Sequence, residues 1–381
     1  MLRHEPQIKA ERPQPRTCVY RIGHAGAARA DRTVCDARGM ARLLPTTVVG
    51  SYPQPSWLVD RTLLVRKGVP RTRATDVWRL QGDELDEALE AATLLAIHDM
   101  VDAGIDIVTD GEIRRESYFN HFANALGGVD RDEVGKGVNR NGGISLVPLV
   151  NGPIRRTEPV ELDAARFLRR ATDRQVKVTV PGPFTLSQLA QNEFYPDQRA
   201  LALAYADAVN AELRDLVAAG VDVVQIDEPY LQANADAARS FAVEAIDRAV
   251  AGVGATTVLH TCYGYAVYVS DKRGGYPFLA ELAGCAVDQV SLEFAQPGLT
   301  PDVLRALGDK TIVLGVLDLS TETAETAEQV AARLRAALQV VPAERLVAAP
   351  DCGMKFLSRG AARAKLTALA EGAALVRAEL G

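Results

Sequence analysis

From about residue 43 onward, short runs of β-branched residues alternate with Ala/Leu/Arg-rich stretches of helical period. That alternation argues for parallel strands joined by crossover helices, and it leaves few other architectures open. The strand-like runs occupy 46–49, 105–109, 176–180, 221–226, 256–260, 287–292, 311–316 and 345–349. Helical periodicity spans 83–103, 199–219, 235–251, 327–340 and 361–380. Eight strand–helix units ending on a helix predict an α/β fold, a closed (β/α)8 TIM barrel over 42–381. The second connection, 111–175, is too long for one helix. It holds Gly127, Gly128, Gly135, Gly137, Gly142 and Gly143, an apolar run at 146–150 and a helical stretch at 162–171. We expect an insertion after the second strand that lays a hairpin across one barrel face.

Residues 1–41 are Arg-rich, carry Pro13 and Pro15, and lack apolar periodicity, so they read as a disordered N-terminal tail. Glu5, Glu11, Asp31 and Asp36 argue against a transit peptide, and Met40 is an alternative start. The 381 residues are 48% hydrophobic and 24% charged, enough to bury a large core. A formal charge of −6 opposes binding to phosphate backbones, so no nucleic-acid partner is expected. No apolar run reaches the roughly 18 to 20 residues that span a bilayer, and the N-terminus lacks a signal-peptide core. A cytoplasmic location, with no membrane partner, is expected. Five cysteines without short regular spacing are then free thiols or ligands rather than a disulfide framework. Nothing in the sequence fixes an oligomeric state.

In such a barrel, chemistry sits at the C-terminal strand ends. Polar residues cluster there: Ser51 after the first run, Asp110 and Glu112 after the second, Asp227 and Glu228 after the fourth, His260 and Cys262 at the fifth, Glu293 at the sixth, Asp318 at the seventh, Asp351 and Cys352 at the eighth. Strand alternation turns His260 and Cys262 to one side, where Cys352 and Glu293 can join them. That donor set suits zinc. Taken singly, each cysteine would be an ordinary buried thiol and His260 a core histidine; jointly they favour a metal site. Glu112 and Asp227 can bind backbone in turns or receive a substrate ammonium, whereas Asp110 and Glu228 should point away from a ligand. Cys18, Cys35, Cys285, His4, His24, His98 and His121 read as bystanders.

Six motifs in order, Thr46-Thr47-Val48-Val49-Gly50-Ser51-Tyr52-Pro53, Asp110-Gly111-Glu112, Pro181-Gly182-Pro183, Gln225-Ile226-Asp227-Glu228-Pro229, His260-Thr261-Cys262-Tyr263 and Pro350-Asp351-Cys352-Gly353, resemble the catalytic barrel of the cobalamin-independent methionine synthase family. The resemblance covers about 43 to 380. It implies that His260, Cys262, Glu293 and Cys352 match the family's zinc ligands, and that Ser51, Glu112 and Asp227 hold the amino-acid end of homocysteine. It further implies a Zn2+-dependent methyltransferase forming methionine, with methylfolate or methylcobalamin as donor. The long members' N-terminal half is absent from this sequence. Gln188 stands near the position of their pterin-stacking tryptophan, and their relay histidine has no counterpart in 317–321.

Two other readings stay open. A zinc alkyltransferase joining coenzyme M to an epoxide would need a cationic pocket for the sulfonate, with Arg114, Arg115, Arg155 and Arg156 as sources. A non-catalytic protein that binds zinc or a methyl donor would keep the ligands and transfer nothing.

Overall fold

The computed structural model describes residues 42–68, 72–138, 143–272 and 274–381, together with the strands Val19–Tyr20 and Asp31–Arg32, which pair antiparallel. The tail expected over 1–41 otherwise lies outside the described residues. The central feature is a seven-stranded parallel sheet of β1 (Ile107–Val108), β2 (Gln175–Pro181), β3 (Val223–Asp227), β4 (Thr256–Thr261), β5 (Gln289–Leu292), β6 (Thr311–Gly315) and β7 (Leu346–Ala349). Spatial order follows chain order. Seven of the eight runs read from the sequence thus form strands, with ends shifted by at most two residues.

The first run forms no extended strand of its own; it makes parallel bridges, Thr46 to Ala348 of β7 and Thr47 to Ile107 of β1. Thr47 N donates to Ala348 O at 2.9 Å, Ala348 N to Pro45 O at 2.9 Å, and Ile107 N to Thr46 O at 3.0 Å. One short segment therefore bonds both edges of a curled sheet. Asp106 secures it: its Oδ2 accepts from Thr46 N at 2.9 Å and Thr46 Oγ1 at 3.0 Å. Arg42, Arg377 and Arg174 surround this buried carboxylate.

Period-two alternation divides the strands between two cores. Ile107, Val223, Val258, Val313, Val347 and Ala349 meet inside the curl. Val224, Ile226, Leu259 and Val290 face the helices in the larger cluster. Those helices include α1 (Gly82–Asp102), α2 (Gln198–Ala218), α3 (Ala235–Val250), α4 (Ala327–Leu338) and α5 (Arg359–Leu380), close to the expected spans. Side-chain caps set three of their starts: Asp197 accepts from Ala200 N, Thr326 forms a capping box with Gln329, and Ser358 accepts from Ala361 N. Between β5 and β6 the crossover is a 3-10 helix, Pro301–Leu307, where the sequence shows no helical period. Among the described residues, no helix is long and apolar enough to cross a membrane.

Between β1 and β2 lie a helix, Tyr118–Asn124, an antiparallel pair, Gly127–Val129 with Leu149–Arg155, a hairpin of Gly135–Val138 with Ile144–Val147, and a helix, Leu162–Ala171. Pro148 divides the apolar run 146–150 between two strands, since proline cannot donate to a ladder.

Replacing Asp106 with alanine strands the Thr46 N–H and three arginines. The arginines keep partial contact with solvent while Thr46 is buried, so we expect a loss of about 2 kcal/mol of stability, read from urea unfolding.

Candidate metal centre

The inward alternation of β3 and β4 carries past their apolar positions to polar ends: Val223 leads to Gln225 and Asp227, and Val258 to His260 and Cys262. A cavity of about 130 Å³ opens there, lined among others by Ser51, Glu112, Asp227, His260, Cys262 and Cys352. Every candidate site residue except Glu293 therefore faces one space. Cys262 comes from just beyond β4 and Cys352 from just beyond β7.

Ligand atoms of His260, Cys262 and Cys352 lie within 4.8 Å of one another, and all three residues are buried. His260 Nδ1 is 2.9 Å from Ser291 Oγ, while buried Nε2 has no hydrogen-bond partner. The serine contact leaves Nε2 as the nitrogen open to a ligand. Cys352 is pushed well above the usual thiol range, first by its hydrogen bond with Cys262 and then by burial and by the charges of Cys262 and Glu293. A bound cation would reverse those effects. The orphaned nitrogen and the two crowded sulfurs fit a soft-ligand divalent metal.

Glu293 stands outside that trio. Its Oε1 accepts from Tyr263 N at 3.1 Å and its Oε2 from Lys272 Nζ at 2.6 Å. Burial, then the Cys262 charge, raises it to about 8 despite Lys272. Asp351 braces the turn behind it, accepting from the backbone N–H groups of Phe294, Ala295 and Gln296.

The other wall of the cavity is acidic. Glu112 sits at φ +53°, a left-handed conformation rare for a side-chain-bearing residue and expected to carry strain. Asp110 holds that turn through a 3.0 Å bond to Glu112 N, and Thr179 Oγ1 donates to Glu112 Oε1 at 3.0 Å. A Cβ on Gly50 would come within 2.2 Å of Glu112 Oε1, so glycine is required for the carboxylate to reach the cavity. Burial lifts Glu112 to about 7 against the pull of Arg115, with Asp227 adding to the rise. Asp227, also raised by burial, accepts from Gln225 Nε2 at 2.7 Å. Buried Lys177 donates to Gln225 Oε1 at 2.8 Å and so turns that amide toward Asp227. Ser51 Oγ lies 3.2 Å from Tyr265 OH. Glu228 faces away, bonding Phe184 N at 2.9 Å and Thr185 N at 2.7 Å.

The family model for the catalytic domain of the cobalamin-independent synthase matches residues 44–375. The chain belongs to the cobalamin-independent methionine synthase family. A methionine synthase from Sulfolobus acidocaldarius is 35% identical over 341 residues, 89% of this chain and 94% of its own length. One from Saccharolobus solfataricus is 35% identical over 344 residues, covering 89% and 96%. A solved B12-independent methionine synthase from Shewanella sp. W3-18-1, in complex with selenomethionine, superposes with a TM-score of 0.81 at 34% identity over 89% of this chain and 99% of that one.

Family members are methyltransferases, and two departures noted in the sequence fall outside the His260/Cys262/Cys352 cavity. Gln188 ends the helix Pro183–Gln188 and accepts from Asn234 Nδ2 at 2.9 Å. Leu319, Ser320 and Thr321 line a second recess of about 210 Å³ that shares Tyr265 and Gly353 with the first. Cys285 is buried against Leu282 O, and His121 pairs with Glu116 at 3.0 Å; neither lines the cavity.

Sequence reasoning did not find Ser291, Lys272, Tyr118 or Tyr265. Ser291 is set by register, since it pairs with His260 across β4 and β5. Tyr118 lines the cavity from the segment after Glu112, where no spacing rule points inward.

The Glu112 shift gives a pH signature. A carboxyl raised from 4.5 to about 7 on folding adds stability that is complete below its unfolded value and is lost as pH rises through about 7. Glu112→Gln should therefore gain stability relative to wild type between about pH 5 and about pH 8, and a flat difference in denaturant unfolding would contradict the shift.

Proposed function

We propose that this chain transfers a methyl group to homocysteine, forming methionine, with zinc as the resident metal. His260, Cys262 and Cys352 would hold the ion, with Glu293 as a fourth, displaceable ligand. The observation that carries the reading is one cavity with a His/Cys/Cys cluster on one wall and Ser51, Glu112 and Asp227 on the other. An amino-acid thiol needs both walls: soft donors around the metal for sulfur, and buried carboxylates for an ammonium. Zinc, when bound, stabilises the substrate thiolate at neutral pH.

The protein's own groups supply the rest. Glu112 and Asp227 receive the ammonium, whose charge favours their ionised forms. Ser51, braced by Tyr265, offers its hydroxyl to the substrate carboxylate. Tyr118, held protonated by burial and by the charges of Asp227 and Glu112, closes that end of the cavity. Fixing both ends of the substrate aims its sulfur at an incoming methyl group: a sulfur–carbon bond forms, the bond to the donor breaks, and the donor keeps that electron pair. The Shewanella relative was captured with selenomethionine, the selenium analogue of the proposed product.

In the same reading, run 46–49 is the eighth stave of a closed (β/α)8 barrel, and the elements between β1 and β2 are an insertion upon it. A reducing cytoplasm would keep Cys262 and Cys352 as thiols. The coenzyme M reading loses its support, because Arg114, Arg115, Arg155 and Arg156 do not line the cavity. Arg115 is instead buried against Glu161 at 3.1 Å, and Arg156 bonds Glu212 and Asp215.

Zinc-loaded protein given homocysteine and either methylfolate or methylcobalamin should produce methionine, read by mass spectrometry. Binding of thiol and zinc without transfer from either donor would favour a binding protein. Cys352→Ala should lose zinc and turnover together, and full turnover in a metal-free variant would overturn the mechanism.

A further inference from the structure

We infer that Lys272 is a positioning residue that receives the Glu293 carboxylate when a substrate thiol takes its place at the metal. This rests on the function proposed above. Lys272 Nζ lies 2.6 Å from Glu293 Oε2, with side-chain exposures of 1% and 0%. Tyr263 N holds the other oxygen at 3.1 Å, so the carboxylate is fully partnered while it stands apart from His260, Cys262 and Cys352.

Two thiolates already balance a divalent cation, and a carboxylate or a substrate thiolate each adds one further negative charge. Binding the thiol therefore favours release of the carboxylate, yet Glu293 is fully buried, so a released carboxylate needs a partner within the protein. Removing a buried partner leaves a charge that is costly to bury. Lys272 meets that need within hydrogen-bond reach.

The lysine is braced for this position. Its loop is tied to the backbone that carries Glu293, because Glu293 N donates to Tyr276 OH at 2.9 Å and Tyr276 OH lies 3.3 Å from Glu293 O. Gly275 O accepts from Tyr263 OH at 2.7 Å and from Gln232 Nε2 at 2.7 Å, fixing the segment beside Lys272. The carboxylate therefore has an anchored resting place apart from His260, Cys262 and Cys352.

The test uses full-length protein loaded with Co2+, whose visible spectrum reports sulfur ligation, titrated with homocysteine. Lys272→Met should weaken homocysteine binding by about tenfold or more, because the displaced Glu293 loses its buried partner. Lys272→Arg, which keeps the charge, should stay within about threefold of wild type. In a Glu293→Gln background, Lys272→Met should change the affinity by less than about threefold, since the two residues act as one unit. A Lys272→Met protein that binds like wild type overturns the inference, as does an equal loss in the Glu293→Gln background. If the single variant does not fold, the double variant, which buries no lone charge, is compared with Glu293→Gln alone; equal affinities support the inference and unequal ones overturn it. Wild-type protein that takes up no cation, or binds no homocysteine once loaded, defeats the function proposal and this inference with it.

Discussion

Asp106 grips the backbone and the hydroxyl of Thr46 from within the sheet, and through that contact both edge strands share one segment. The geometry above it follows from parallel register. Asp227 lies opposite His260, and His260 opposite Ser291, because neighbouring strands are aligned residue by residue. With apolar positions filling the inside of the curl lower down, the next inward positions emerge together at one end. Chemistry collects there because the apolar ladder has run out.

That end is buried, and burial sets its electrostatics. Glu112, Asp227, Glu228 and Asp351 are all pushed upward by burial before any neighbour acts. They divide into two kinds by what answers them. Glu228 and Asp351 are met by backbone N–H groups and fix loops. Glu112 and Asp227 line the cavity, as does His260 with its unpartnered Nε2, and that is what separates them from the loop-fixing pair.

Much of this was legible from the chain. Alternation in β4 placed His260 and Cys262 on one side, and the end of the eighth run brought Cys352 to the same focus. Asp110 and Glu228 are expected from the sequence to point away from a ligand, and each bonds backbone N–H groups. The first run was less legible as structure: it bonds both neighbours through only a few residues, so its strand character depends on partners far along the chain. Glu293 was expected among the ligands, whereas its contacts are set by Lys272, some twenty residues earlier in an irregular loop. No periodicity could announce that pairing. The 3-10 crossover between β5 and β6 was invisible for the same reason, because seven residues beginning at Pro301 carry too little pattern.

Gly353 packs so closely that a Cβ there would lie 2.2 Å from Ser51 Oγ, and it follows Cys352 directly in the chain. The group that would grip the amino-acid end and a sulfur of the His/Cys/Cys cluster are thus separated by one peptide and one van der Waals contact. Evolutionary change at either is coupled to the other: enlarging the pocket at Ser51 shifts the loop that aims Cys352. Retargeting such a scaffold to bulkier thiols would meet epistasis at this seam, and successful variants should carry paired substitutions across it.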